Sequence, residues 1–237
     1  MSAGLPRLPA TFPASRDALH RLAVYVISPA QRLANGEIVL RPAPGGFSTF
    51  EFAGGRVVGI DGGDLVVDAG RVPVTTLRAA AAAVGIEPDL AQQEEFDVPP
   101  AGDLDGVLEI DPDGARALGA WYAFAAEALE GLRAAAAPGD DASPVRIWPE
   151  HFDAAFDMGD EAGRTRATYG ASPGDRRHDR PYLYASPWAG RVDGFFDDPG
   201  FCGAALTYDG LAAAPDPPAA AAAFLGEARR RIAGAAP

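Results

Sequence analysis

Lysine is missing from this chain: all 20 basic residues among its 237 are arginine. That removes any Schiff-base lysine, any P-loop lysine and any kinase-type phosphate-pairing lysine. The bias accompanies abundant Ala, Gly and Pro and reflects GC-rich coding rather than arginine chemistry. Cysteine is nearly missing as well. A lone Cys202 excludes internal disulfides and cysteine zinc knuckles. Its neighbours Phe201 and Gly203 predict a buried, inert thiol. Positive charge is scarce, and the net charge of −13 argues against nucleic acid and against anionic membrane surfaces, both of which need clustered cations. No segment approaches the roughly 20 apolar residues that span a bilayer. The opening MSAGLPRLPATFPAS has no apolar core of signal-peptide length, so a cytoplasmic location is expected.

What is present suits a packed globular core, since 48% of residues are apolar. Residues 1–14 read as a Pro-punctuated tail. Ser15 is the expected N-cap of a helix whose buried face is Leu19, Leu22, Ala23 and Val26. His20 falls between those positions and reads as a structural histidine rather than a ligand. Ser28-Pro29-Ala30-Gln31 has the form of a capping box opening a second short helix, with Gly36 as its stop. A β-rich block follows, with strands expected at 37–41, 47–52, 56–60 and 65–68. The last two flank the hairpin turn Asp61-Gly62-Gly63-Asp64. Thr75 or Thr76 caps a helix over 77–84 that Gly85 ends. No G-x-G-x-x-G opens a helix after a strand, so these glycines form no dinucleotide loop.

After an acidic connection over 86–103, residues 104–110 are expected to form a strand. Glu109–Gly114 imitates the start of a calcium loop, but the twelfth position is Ala120 where a bidentate Glu is required. Asp111 as N-cap with Pro112 at N1 is the better reading. The helix that follows carries Leu118, Tyr122, Ala125, Leu129 and Leu132 on one face and belongs in the core. A small-residue linker over 134–143 separates the expected halves, 1–137 and 144–237. In the second half, strands are expected at 145–148, 152–158, 166–169, 182–185 and 204–208. Asp216 and Pro217 then open a last helix. The expected fold class is α+β, mostly antiparallel sheets against a few Ala-rich helices, and two similar halves remain open.

Most chemistry-bearing residues lie between Val145 and Trp188. On an ideal strand His151 and Asp153 share a face about 6.6 Å apart, close enough to share a metal or for Asp153 to orient the imidazole. Two ligands do not hold a zinc, so a third would come from Asp175 or His178, with Glu150 as base. Gly170-Ala171-Ser172-Pro173-Gly174 matches the nucleophile-elbow pattern. Pro173, however, has no N–H for an oxyanion hole and no helix follows, so a tight turn is expected. Tyr169, Tyr182 and Tyr184 are expected on one sheet face, with Trp148 and Trp188 at strand ends; such residues line small-molecule pockets as well as cores. His178, between Arg177 and Asp179, reads as exposed.

The motifs WPEHFD, YGASPGD, PYLY and PW, with GGFSTFEF and TTLRAA upstream, resemble a family of uncharacterised bacterial proteins over most of the chain. The resemblance implies no activity. Three functions remain in play. The first is small-molecule binding through an aromatic and polar pocket in the C-terminal half, drawing on Trp148, Glu150, His151, Asp153, Tyr169, Ser172, Asp175, His178, Tyr182, Tyr184 and Trp188. The second is a metal-dependent hydrolase, and the third an acidic structural or regulatory partner. No cofactor and no catalytic residue is assigned.

Overall fold

A computed structural model describes residues 5–176, 178–190 and 193–234. The first four residues of the expected tail and the Arg177 beside His178 lie outside the described residues. Two five-stranded antiparallel sheets and a set of helices make the α+β architecture. Both sheets are meanders in which each strand pairs with its sequence neighbour. The first runs β1 (Arg41–Ala43), β2 (Gly46–Ser48), β3 (Val58–Asp61), β4 (Asp64–Val67) and β5 (Gly70–Pro73). The second is ordered β10 (Ala204–Thr207), β9 (Tyr182–Pro187), β8 (Ala167–Ser172), β7 (Asp153–Met158) and β6 (Arg146–Trp148). Among the described residues no helix is long and apolar enough to cross a membrane.

The chain forms two compact units: residues 6–123 with 146–153, and residue 5 with 124–145 and 154–234. In the first, helix α1 (Phe12–Leu22) passes through a π-helical segment, Ala23–Ile27, directly into α2 (Ser28–Asn35). The expected caps are corrected here. The helix begins earlier, Ser15 lies buried inside it, and its Oγ accepts the Asp111 N–H at 2.9 Å. Ser28 caps nothing either; its hydroxyl donates to the Ile38 carbonyl at 2.7 Å. Pro29 is tolerated because the helix widens before it. The Tyr25 carbonyl, which a residue-29 N–H would normally satisfy, instead accepts the Asp89 N–H at 3.1 Å. Gly36 ends α2 in the left-handed region as expected.

The two-residue turn Gly62-Gly63, both at positive φ, closes the β3–β4 hairpin. Helix α3 (Leu77–Val84) is capped by Thr76, whose Oγ1 accepts the Ala79 N–H at 3.0 Å, and is stopped by Gly85. One helical turn, α4 (Gln92–Glu95), interrupts the acidic connection. The strand expected over 37–41 reduces to the bridge Leu40–Ile147 and the start of β1. That expected over 104–110 is irregular chain, because its polar backbone groups bond instead to the approach of α3: Leu108 N–H to Thr75 O, and Arg78 N–H to Leu104 O. Helix α5 (Pro112–Ala134) starts at Asp111, whose carboxylate accepts the Gly114 N–H at 3.2 Å. Its Gly119 lies on the β1–β2 turn so closely that a Cβ would stand 2.4 Å from the Gly45 carbonyl carbon, which only glycine permits.

An aromatic cluster fills this unit. Phe152, 1% exposed, has its ring edge-on to Phe47 at 5.2 Å and to Tyr122 at 5.7 Å, while His20 stacks flat on it at 4.7 Å. The backbone of Phe152 is left-handed, φ +56°, a conformation that costs about 1–3 kcal/mol in a bulky residue and persists only where the surroundings impose it. Here the buried ring imposes it, together with the Tyr122 hydroxyl, which donates to the Phe152 carbonyl at 2.7 Å.

In the second unit the turn after α5 is tied down rather than loose. The Asp140 carboxylate accepts the Ala137 N–H at 2.7 Å and pairs with Arg229. Helix α6 (Tyr208–Ala213) follows β10, and α7 (Pro217–Ala233) is capped by Asp216. Ala221, Leu225, Ala228 and Ile232 are its buried residues, and it packs against β9 and β10.

Candidate functional site

Strand register decides which side chains meet on the second sheet. Ser172 stands opposite Tyr182, Gly170 opposite Tyr184 and Thr168 opposite Ser186. Asp157 faces Thr168, and Thr207 faces Tyr182. Because neighbours in register point the same way, these residues form one polar and aromatic face. The other face carries Phe156, Met158, Ala171, Leu183 and Ala185, all buried. Tyr169 pairs with Ala185 and so belongs to that apolar side, stacked on Phe156 at 5.6 Å. The expectation that Tyr169 joins Tyr182 and Tyr184 is therefore corrected: an odd offset from Tyr182 across the β8–β9 register puts it on the opposite face. Burial drives the Tyr169 phenol far above its ordinary pKa, opposed by Arg229 and assisted by Asp140.

On the polar face, the β8–β9 connection folds tightly. The Ser172 hydroxyl is buried and accepts the Gly174 N–H at 3.1 Å, so Gly170–Gly174 makes a turn rather than a nucleophile elbow. The Asp175 N–H donates to the His178 carbonyl at 2.6 Å, and the His178 N–H returns to Asp175 Oδ1 at 2.8 Å. Asp175 Oδ2 accepts the Tyr182 hydroxyl at 3.0 Å. His178 is not exposed as expected. Its ring lies 4.6 Å from the Tyr182 ring, and Nε2 sits 3.1 and 3.2 Å from the two carboxylate oxygens of Asp198. The Asp198 side chain is only 6% exposed and also accepts the Gly200 N–H at 2.7 Å. A carboxylate at Nε2 holds the proton there and leaves Nδ1 as an acceptor in the neutral ring.

Tyr182, Tyr184 and Phe201 form a triangle of rings 5.7–6.2 Å apart. Tyr184 lies across Gly170 so closely that a Cβ there would stand 2.3 Å from its Cζ; the aromatic ring covers the bare glycine opposite it. Further along, the Trp188 indole N–H donates to Thr168 Oγ1 at 3.0 Å, and Thr168 donates to Asp157 at 2.7 Å. The Arg166 guanidinium covers the Trp188 ring at 4.9 Å. Asp198 and Phe201 were missed from the sequence. Asp197-Asp198-Pro199-Gly200 carries only a turn signal, and nothing local links it to a histidine 20 residues away. Cys202, expected to be buried, is exposed.

The remaining sequence candidates, Trp148, Glu150, His151 and Asp153, belong to the other unit. His151 and Asp153 do not share a strand face. The strand starts at Asp153, and His151 occupies a turn closed by the Phe152 N–H to the Trp148 carbonyl at 2.7 Å. Left-handed Phe152 breaks the alternation, leaving His151 exposed and Asp153 buried. One Glu150 oxygen, Oε2, is buried without a hydrogen-bond partner among the described residues. Trp148 is 37% exposed at its strand end. This segment is built around Phe152, so its motif reads as structural. His20 belongs to the same packing: its Nε2–H donates to the Pro149 carbonyl at 2.8 Å, and burial lowers its pKa to about 4 despite that bond.

Among the described residues no three His, Cys, Asp or Glu side chains are grouped to hold a metal ion. The combination of His151 and Asp153 with Asp175 or His178 thus gains no ligand set. Two cavities lie away from the eleven sequence candidates. One, about 620 Å³, is lined by residues 6–10 and by Asp113, Arg116, Ala117 and Ala120 of α5. The other, about 710 Å³, runs between the second half of α5 and α7. No protein-family model matches the chain, and no curated protein or solved structure matches it either.

Proposed function

We propose that the second unit binds a small polar or aromatic molecule on the face carrying Asp175, His178, Tyr182, Tyr184 and Trp188, with Asp198 positioning the imidazole. The observation that carries this reading is the His178–Asp198 pair. A carboxylate almost fully out of water is aimed at a ring whose own side chain is 22% exposed. Orienting an acceptor at the edge of an aromatic surface is what polar-ligand sites require. The −13 charge supports a neutral or cationic ligand and speaks against nucleic acid as partner. A cytoplasmic setting is part of the same proposal.

The test is thermal stabilisation across a panel of aromatic acids, aromatic amines and nucleosides. A ligand at a hundred times its Kd stabilises by about 2.7 kcal/mol. The expected result is a compound that raises Tm of the wild type and has no effect on Tyr184→Ala or His178→Ala. A compound that stabilises both variants as fully as the wild type would remove the proposal.

A further inference from the structure

The two ends of the polar sheet face differ. Tyr182, Tyr184, Ser186 and Trp188 share that face along β9, which places Trp188 about 13 Å from Tyr184 and about 20 Å from Tyr182. The Tyr182 end is closed by His178, Asp198 and Phe201. At the other end Trp188 is 51% exposed, yet it is held in place. Its backbone N–H donates to the Arg166 carbonyl at 3.0 Å, and its indole N–H donates to Thr168 Oγ1 at 3.0 Å.

The Arg166 guanidinium lies 4.9 Å from the ring centroid and keeps only 17% of its side chain exposed. It is itself pinned, Nη1 donating to the Gly159 carbonyl and to Asp141, each at 3.2 Å. The guanidinium therefore sits beneath the indole, and the other face of the ring meets water. A large aromatic surface fixed in advance loses little freedom when a ligand covers it. Beside it, Thr168 donates to Asp157 Oδ1 at 2.7 Å. Asp157 Oδ2 accepts no hydrogen bond among the described residues, and Asp157 is half-buried. The ring thus has an ordered carboxylate acceptor one hydroxyl away from its edge.

This arrangement selects by charge. A cation on the outer ring face would meet Arg166 through the ring, whose π density is already engaged on the inner face. An anion would meet Asp157 and a chain of net charge −13. A neutral ligand remains, and it must offer both a flat apolar face and hydroxyl donors for a carboxylate. A pyranose ring carries both, its axial C–H bonds on one face and its hydroxyls around the rim.

We propose that the Trp188 end of the polar face binds a neutral saccharide, one sugar ring stacked on the indole and a hydroxyl donating to Asp157 Oδ2. This rests on the reading of that face as a binding surface and adds to it a site separate from the His178 end.

The test is calorimetric titration of the full chain with cellotriose, mannotriose and N-acetylated chitotriose, and with the charged trimers of glucosamine and galacturonate. At least one neutral trisaccharide is expected to bind, and the acetylated chitotriose to bind more tightly than its free-amine form. Trp188→Ala should weaken the neutral sugar about tenfold, and Trp188→Phe should restore part of the loss. Asp157→Asn, which keeps the ring, should weaken it several-fold. His178→Ala, and Trp148→Ala in the other unit, should leave it unchanged. Binding by none of the neutral sugars, equal affinity for the free-amine trimer, or binding untouched in Trp188→Ala overturns the proposal. A sugar lost in His178→Ala but kept in Trp188→Ala also overturns it, while leaving the wider reading of the face intact. So does an amine, acid or nucleoside that binds where no sugar does. If neither the sugars nor those compounds bind, both readings fall.

Discussion

The two sheets share a topology and divide the labour. In the first, strands are three or four residues long, and the polar side chains around it serve turns and caps: Thr76, Asp111 and the Asp61–Asp64 hairpin. Its unit gains cohesion from rings packed on Phe152. In the second sheet, β7, β8 and β9 each run six residues. That length sorts an apolar side from a side where Asp157, Thr168, Ser172, Tyr182 and Tyr184 collect. Longer strands let alternation separate the two jobs; short ones leave packing to the aromatic cluster.

If that division is right, substitutions in the first unit change stability and leave ligand response intact, and those on the polar face do the opposite. Phe152→Ala should show the largest effect, a loss of about 3–5 kcal/mol in urea unfolding, with any ligand-induced shift preserved. Next is His20. Burial holds its folded pKa near 4, below the ordinary 6.5 of a histidine in water, so the unfolded chain takes up the proton first as pH falls. Its contribution is complete above pH 6.5 and is lost between 6.5 and 4, at most about 3 kcal/mol. Urea midpoints for His20→Phe should fall less steeply over that window than those of the wild type. Asp198→Asn reverses the pattern: about 1.5 kcal/mol of stability, but complete loss of the Tm shift produced by a polar ligand. A retained shift would erase the contrast between the sheets. The smallest effect is Thr76→Ala, about 1 kcal/mol in urea unfolding from a lost N-cap, with binding untouched.

Local chemistry was readable from the residues. Thr76 with Gly85, Asp111 with Pro112, and Asp216 with Pro217 mark helix ends because a cap is decided within four residues. The Gly62-Gly63 hairpin was legible for the same reason. Strand β5 was not, since it is a wholly exposed edge with no apolar alternation to betray it. The face shared by His151 and Asp153 failed at Phe152, whose left-handed backbone is imposed by His20, Phe47 and Tyr122, all distant in sequence. Tyr169 was assigned to the wrong face because pairing register is a property of two strands. Of the proposed site, Asp175, His178, Tyr182 and Tyr184 were visible, whereas Asp198 becomes so only when a turn 20 residues on closes over the imidazole.

The proline inside the α1–α2 rod reaches beyond the helix itself. By releasing the Tyr25 carbonyl to the Asp89 N–H, it gives the long acidic segment a mooring. The Tyr25 hydroxyl on the Pro99 carbonyl, the Arg21 guanidinium on the Ala101 carbonyl, and Arg32 on Glu95 supply three more. A stretch that composition alone marks as prey for a protease is lashed at four points to one rigid rod. It should resist cleavage until that rod melts.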